Sequence, residues 1–288
     1  MPKVPANGVE LFYDSHGLET SPPLLLVMGL GAQLTAWDVR LVEWLVAGGV
    51  RVLRFDNRDA GLSTHLDGVP ANLSEVMGGD AAKAPYLLTD LAKDIVALLD
   101  ALGIPKAHVV GASMGGMIAQ TLAIEHSARV QSLGSIMSST GDPTVGQATD
   151  EARAILMSPP AADRAGAIER GVASARIFGS RTYPPSDDAL RTRLGLFYDR
   201  AYYPEGMARQ LAAIYASPDR TEALKKLNIP TVVIHGDEDS LIVISGGMAT
   251  SEAIPGARFV RVLGMGHDLP PPLYPEILNP LLANIARA

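Results

Sequence analysis

The sequence contains no cysteine. Disulfides, thiolate catalysis and cysteine-bound metal are therefore excluded, while the redox compartment stays open. Long apolar runs are also lacking. The longest, such as residues 24–28, fall far short of the ~20 residues that a membrane-crossing helix needs. Residues 1–17 hold no apolar core of a secretion signal, so a cytoplasmic location is the expectation. No basic patch and no long run of like charge is found, and the net charge is −7. Nucleic acid is thus not an expected partner. Internal repeats and low-complexity segments are absent too.

What remains is a chain of 288 residues, 47% apolar and 19% charged, which places it among globular proteins and makes it long enough to bury a core without staples. Short apolar runs at 24–28, 50–55 and 107–110 read as buried strands, further strands are read at 133–137, 230–235 and 258–263, and 9–13 alternates as an edge strand should. Between them lie amphipathic stretches. Residues 36–47 predict a helix with Trp37, Leu41, Trp44 and Leu45 on one face, and residues 87–102 predict another, closed by Gly103 and Pro105. Strands alternating with helices predict an α/β fold with a mostly parallel central sheet flanked by helices. Residues 56–63 look like an ordered loop, whereas 68–85 are small and polar and read as mobile.

The alternation breaks after the sixth strand. From 140 to 217 no strand is evident, and helices are predicted at 150–157, 162–178, 187–198 and 205–215, separated by prolines. A strand-free connection of this length is usually functional. The expected organisation is a core domain of residues 1–139 and 218–288 carrying a helical cap subdomain of residues 140–217.

Gly111-Ala112-Ser113-Met114-Gly115 joins the strand at 107–110 to a helix beginning near Gly116. G-x-S-x-G between strand and helix is the pattern of a nucleophile elbow. A serine on so sharp a turn sits in a strained backbone, and glycine neighbours let strand and helix pass close to it. A serine hydroxyl needs a base, and the base needs an acid to orient it. Of six histidines, His267 follows the last strand in Gly264-Met265-Gly266-His267, at the sheet edge where α/β proteins place their sites. The acid should follow a strand between the two. Asp237, Glu238 and Asp239 compete there; Asp239 is the choice and Asp237 the second, with His235 expected to help order the turn. Two oxyanion donors are expected, the backbone N–H groups of Met114, at a helix start, and of Leu30, in the Gly29-Leu30-Gly31 turn.

With these residues in place, the chain resembles the α/β-hydrolase superfamily over nearly its whole length. It looks most like bacterial esterases related to aclacinomycin methylesterase, on the run Val27-Met28-Gly29-Leu30-Gly31 and the capped layout. The resemblance implies that the last aspartate of the acid turn, Asp239, is the triad member, and that Arg58 and Gly61 support the site floor. Two departures stand out: Met28-Gly29 where the family often has His-Gly, and Asp239-Ser240 where Asp-Pro is common.

The expected function is a serine carboxylesterase acting on hydrophobic carboxylic esters through an acyl-enzyme. It needs neither metal nor cofactor, and its partner is a small-molecule ester. The same residues serve thioester, lactone or carbon–carbon bond hydrolysis and cofactor-free perhydrolysis, because fold does not choose the reaction. A non-catalytic ligand-binding protein on this scaffold is the alternative from another class. A monomer or homodimer is expected. Met28, Leu34, Met137, Phe178, Phe197, Tyr202 and Tyr203 are the expected lining of an apolar substrate pocket.

Overall fold

Apolar runs make the inner strands of this protein because helices cover both faces of them. The computed structural model describes residues 2–288. Its strands are β1 (Lys3–Ala6), β2 (Val9–His16), β3 (Pro23–Val27), β4 (Arg51–Phe55), β5 (Ala107–Ala112), β6 (Val130–Ile136), β7 (Thr231–Gly236) and β8 (Arg258–Val262). They form one eight-stranded sheet in the order β1-β2-β4-β3-β5-β6-β7-β8. The pairs β1–β2 and β2–β4 are antiparallel, and all others are parallel. This is the expected α/β architecture.

The helices are α1 (Val39–Ala47), α2 (Leu73–Met77), α3 (Leu88–Ala101), α4 (Met114–Glu125), α5 (Asp150–Leu156), α6 (Arg164–Phe178), α7 (Asp187–Ala201), α8 (Pro204–Ala216), α9 (Thr221–Leu224), α10 (Ser245–Ala253) and α11 (Tyr274–Ile285). Strand alternation divides the core. Leu25 and Val27 pack with Leu91, Ile95 and Ile118 of α3 and α4 on one face. Leu24 and Leu26 pack with Leu41, Leu45, Ile277 and Leu281 of α1 and α11 on the other. Helix α4 is apolar nearly all round, and ten of its residues are buried, as a helix enclosed on every side must be. Between β6 and β7 the chain runs through α5, α6, α7, α8 and α9 without a strand.

Three expectations are corrected. Strand β2 is not the edge: β1 pairs outside it, with Lys3 opposite Phe12. The turn between them is Asn7-Gly8, both with positive φ, a hairpin signal that the short, proline-bearing β1 obscured. Helix α1 starts only at Val39, capped by the Asp38 side chain, so Trp37 is buried ahead of it while Trp44 is 37% exposed rather than on the inner face. The stretch 68–85, read as mobile, holds α2, which buries Val76.

Candidate active site

The site is built at the carboxyl ends of β3, β5, β7 and β8. Ser113 stands between β5 and α4 with φ 57° and ψ −123°, a conformation that costs a non-glycine residue about 1–3 kcal/mol and persists only where its surroundings enforce it. They do. Ser113 N–H donates to the Ile136 carbonyl at 2.9 Å, and Ser138 Oγ donates to the Ser113 carbonyl at 2.8 Å.

Strand β7 delivers the acidic turn, and its three carboxylates have separate tasks. Asp237 accepts from Arg261 Nη2 (2.9 Å) and the Gly264 N–H (2.8 Å). Glu238 accepts the N–H groups of Arg181 and Thr182 and the Thr182 hydroxyl. Asp239 is buried; its Oδ1 accepts the N–H groups of Leu241 and Ile242, both at 2.9 Å, and its Oδ2 lies 2.7 Å from His267 Nδ1. Burial pushes the Asp239 carboxyl up, but the charge of His267 and hydrogen bonds from His235 and His267 outweigh it and hold the group at about 2.

His235, fully buried, also serves this turn. Its Nε2 is 2.7 Å from the Ile242 carbonyl, which only accepts, so the proton is on Nε2. The same atom is 3.3 Å from Asp239 Oδ2. Helix α10 packs flush on the ring: a β-carbon on Gly247 would stand 2.3 Å from His235 Nδ1.

His267 completes the line. Its Nε2 is 2.9 Å from Ser113 Oγ. With Nδ1–H donating to Asp239, Nε2 of the neutral ring faces the hydroxyl as an acceptor. The loop is held by the end of α6 and the residues after it: His267 N–H donates to the Phe178 carbonyl, and Ser180 Oγ accepts the Gly266 N–H while donating to Asp268. Burial raises the Asp268 carboxyl despite those Ser180 bonds.

The turn after β3 closes over the serine. A β-carbon on Gly29 would stand 3.0 Å from Ser113 Cβ. The N–H groups of Leu30 and Met114 have no hydrogen-bond partner among the described residues. Asn57 Nδ2 donates to the Met28 carbonyl and fixes the start of this turn. Asp56 accepts the Leu34 and Leu62 N–H groups and pairs with Arg200 of α7. Gly61 is glycine because a β-carbon there would fall 2.2 Å from the Asp56 carboxylate. Arg58 lies further off, paired with Asp94 of α3. The resemblance singles out Arg58 and Gly61; Gly61 packs on the Asp56 carboxylate, whereas Arg58 pairs with Asp94, and Asp56, Asn57 and Arg200 are not singled out. The buried-polar character of an Asp-Asn pair closing β4 was the available signal.

A cavity of about 650 Å³ opens beside the turn, walled by Leu30, Phe178, Phe197, Tyr202, Tyr203 and Met207 among others. Ser113 and His267 are not in its wall; Leu30, which is, follows Gly29, the residue at which a β-carbon would stand 3.0 Å from Ser113 Cβ. Met28, Leu34 and Met137, expected in the lining, are not there. All three are buried, Met28 and Met137 in the layer formed with α1 and α11, because they close strands or turns whose side chains face the sheet. Among the described residues no cluster of His, Asp or Glu is arranged to hold a metal ion, and no helix is long and apolar enough to cross a membrane.

Among known proteins, a family model described as alpha/beta hydrolase fold matches residues 22–270. Rhodomycin D methylesterase DauP of a Streptomyces species is 29% identical over 283 residues, covering 91% of this chain and 90% of its own. The 3-oxoadipate enol-lactonase 2 of Acinetobacter baylyi is 28% identical over 254 residues, covering 86% of this chain and 83% of its own. Of solved structures, the enol-lactonase from Burkholderia xenovorans superposes with a TM-score of 0.74 at 23% identity over 99% of this chain and 98% of that one, a likeness of fold.

Proposed function

The chain belongs to the α/β-hydrolase fold family, and on that premise we propose that it is a serine carboxylesterase. One observation carries the reading: the unbroken hydrogen-bond line from Asp239 through His267 to Ser113, which supports a triad. In this reaction Ser113 Oγ attacks the ester carbonyl carbon while its proton passes to His267 Nε2. The carbonyl electron pair moves onto oxygen, and the Leu30 and Met114 N–H groups receive that charge; one such donor is typically worth about 10²–10³ in rate. The tetrahedral adduct collapses, His267 protonates the departing alkoxide, and the acyl group stays on Ser113. Water, deprotonated by His267, then attacks the acyl carbon, and the carboxylic acid leaves as Ser113 regains its proton. Asp239 keeps Nδ1 protonated and stabilises the imidazolium that forms twice in the cycle.

We read α5 to α8, within residues 140–217, as a cap over the site, and the cavity they wall with the turn after β3 as the seat of the substrate. Its aromatic and aliphatic lining favours a bulky hydrophobic ester. The methylesterase relative supports a methyl ester, with the large acid in the cavity and methanol leaving past His267. The enol-lactonase relative supports a second reaction on the same residues, opening of a lactone, in which acyl and leaving oxygen belong to one ring. Turnover of aryl and alkyl acids as methyl, ethyl and lactone substrates tests both. The methyl ester reading predicts the highest kcat/KM on methyl esters of large acids; a preference for lactones would replace it, and no turnover of any would end it.

A further inference from the structure

Helix α8 walls the cavity through Met207 and Leu211, while its Gln210 is fully buried beneath them. Gln210 Oε1 accepts the Gly31 N–H at 2.8 Å, and Nε2 donates to the Arg58 carbonyl at 2.8 Å. Those partners allow one amide orientation only, since the first can only donate and the second only accept. One planar group therefore ties the turn after β3 to the turn after β4, across 179 residues of chain in the first case. Gly31 has φ +65°, and a β-carbon on it would stand 3.1 Å from Met207 Cγ, so the same helix also packs onto the turn. A second clamp lies one turn further on: Gln33 Nε2 donates to the Phe197 and Ala201 carbonyls, and Gln33 Oε1 accepts from Arg200.

The Gly29-Leu30-Gly31 turn has two consecutive amides at its tip. Gln210 occupies the Gly31 N–H and leaves the Leu30 N–H free. We propose that Gln210 is the positioning residue of the oxyanion hole, holding the Leu30 N–H toward the carbonyl oxygen at Ser113. This rests on the serine esterase reading above. A donor helps the transition state by being fixed beforehand at hydrogen-bond distance from the developing charge. The turn has one backbone bond of its own, Ala32 N–H to the Gly29 carbonyl at 3.2 Å, and Asn57 holds its start; the buried amide adds the tie at Gly31, next to the Leu30 N–H. Most of the cavity wall comes from α5 to α8 and not from this turn, so the effect of losing the amide falls mainly on kcat and little on KM.

Gln210→Met keeps the volume and removes both hydrogen bonds. On an ester substrate kcat should fall about 10–100-fold, less than the loss of a whole donor, with KM moving by no more than about threefold. Affinity for a trifluoromethyl ketone, which forms a tetrahedral adduct on the serine, should fall by the same factor as kcat/KM, while affinity for the matching methyl ketone holds. A folded variant with unchanged kcat, or one that loses affinity for both ketones equally, overturns the proposal. Should the variant not fold, the wild-type enzyme carries the test by amide proton resonance. On binding the trifluoromethyl ketone, the Leu30 signal should move downfield and the Gly31 signal stay; movement of Gly31 instead overturns the assignment. Fluorophosphonate labelling separates the two layers. An unlabelled wild type ends the esterase reading and this proposal with it, whereas a labelled wild type with an unaffected Gln210→Met variant ends only the role of Gln210.

Discussion

Gly115 lies against Val27 so closely that a β-carbon on it would stand 2.0 Å from the Val27 carbonyl oxygen. Across the elbow a β-carbon on Gly111 would stand 2.0 Å from the Gly115 carbonyl oxygen. Both obstacles are backbone, one at the end of β3 and the other in the first turn of α4. Gly115→Ala must therefore push α4 away from β3 and shift Ser113 from His267. Thermal melting should show a loss of about 1–3 kcal/mol or more. Turnover should fall by about 10² or more, since displacement of a reacting group by an ångström is enough for that. A variant as fast and stable as wild type would show that the elbow is not held in this way.

Asp239 and Asp237 sit two residues apart and face different partners. Asp239→Asn should lower kcat by about 10³–10⁴, because the amide cannot hold His267 in the tautomer that leaves Nε2 free. Asp237→Asn should keep most of the activity, since that carboxylate binds Arg261 and the Gly264 N–H. Steady-state kinetics of the two variants side by side decide the matter, and a larger loss in Asp237→Asn would transfer the role of acid to it.

The Asp239 carboxyl also makes a pH prediction. Its folded pKa, about 2, is below its ordinary value of 3.8. The stability it lends is therefore complete above the ordinary value and is lost as pH falls toward 2, an effect on the order of 2 kcal/mol. Urea unfolding from pH 5 down to pH ~2 should show wild type losing more stability than Asp239→Asn across that window. Parallel curves would mean that the aspartate is not held in its charged form.

Arg209 of α8 forms a buried bidentate pair with Asp59, both Nε and Nη2 at 2.9 Å from the carboxylate oxygens. Arg209→Met leaves Asp59 buried without its partner and should cost about 3–5 kcal/mol in urea unfolding. The double variant Asp59→Asn with Arg209→Met should recover part of that loss. Equal stabilities of the single and double variants would show that the cost does not come from a stranded Asp59 charge.

How much of this was legible in the sequence depended on how local the signal was. The elbow, the acid turn and the Gly266-His267 loop are short patterns at the ends of apolar runs, and each could be read in place. Strand-to-helix alternation gave the parallel sheet for the same reason. What could not be read were pairings across the chain. Gln210 and Gly31 are 179 residues apart, and Arg200 and Asp56 are 144 apart. Nothing in a helix of mixed composition tells which glutamine will be buried. The cavity lining divided on similar grounds: Phe178, Phe197, Tyr202 and Tyr203, from α6 to the start of α8, line it, whereas Met28 and Met137 close β3 and β6 and are taken up by the core. The Asn7-Gly8 turn is a short local pattern too, but β1 beside it is four residues with a proline and carries no apolar run to mark it as a strand.

The central claim is that Ser113 is a nucleophile activated by His267. Incubating the folded protein with a fluorophosphonate and locating the adduct by mass spectrometry tests it most directly. The account predicts one covalent phosphonyl group on Ser113, absent from Ser113→Ala and strongly slowed in His267→Ala, with ester turnover lost in step. A folded wild-type protein that takes no label, or a label that persists in Ser113→Ala, would contradict it.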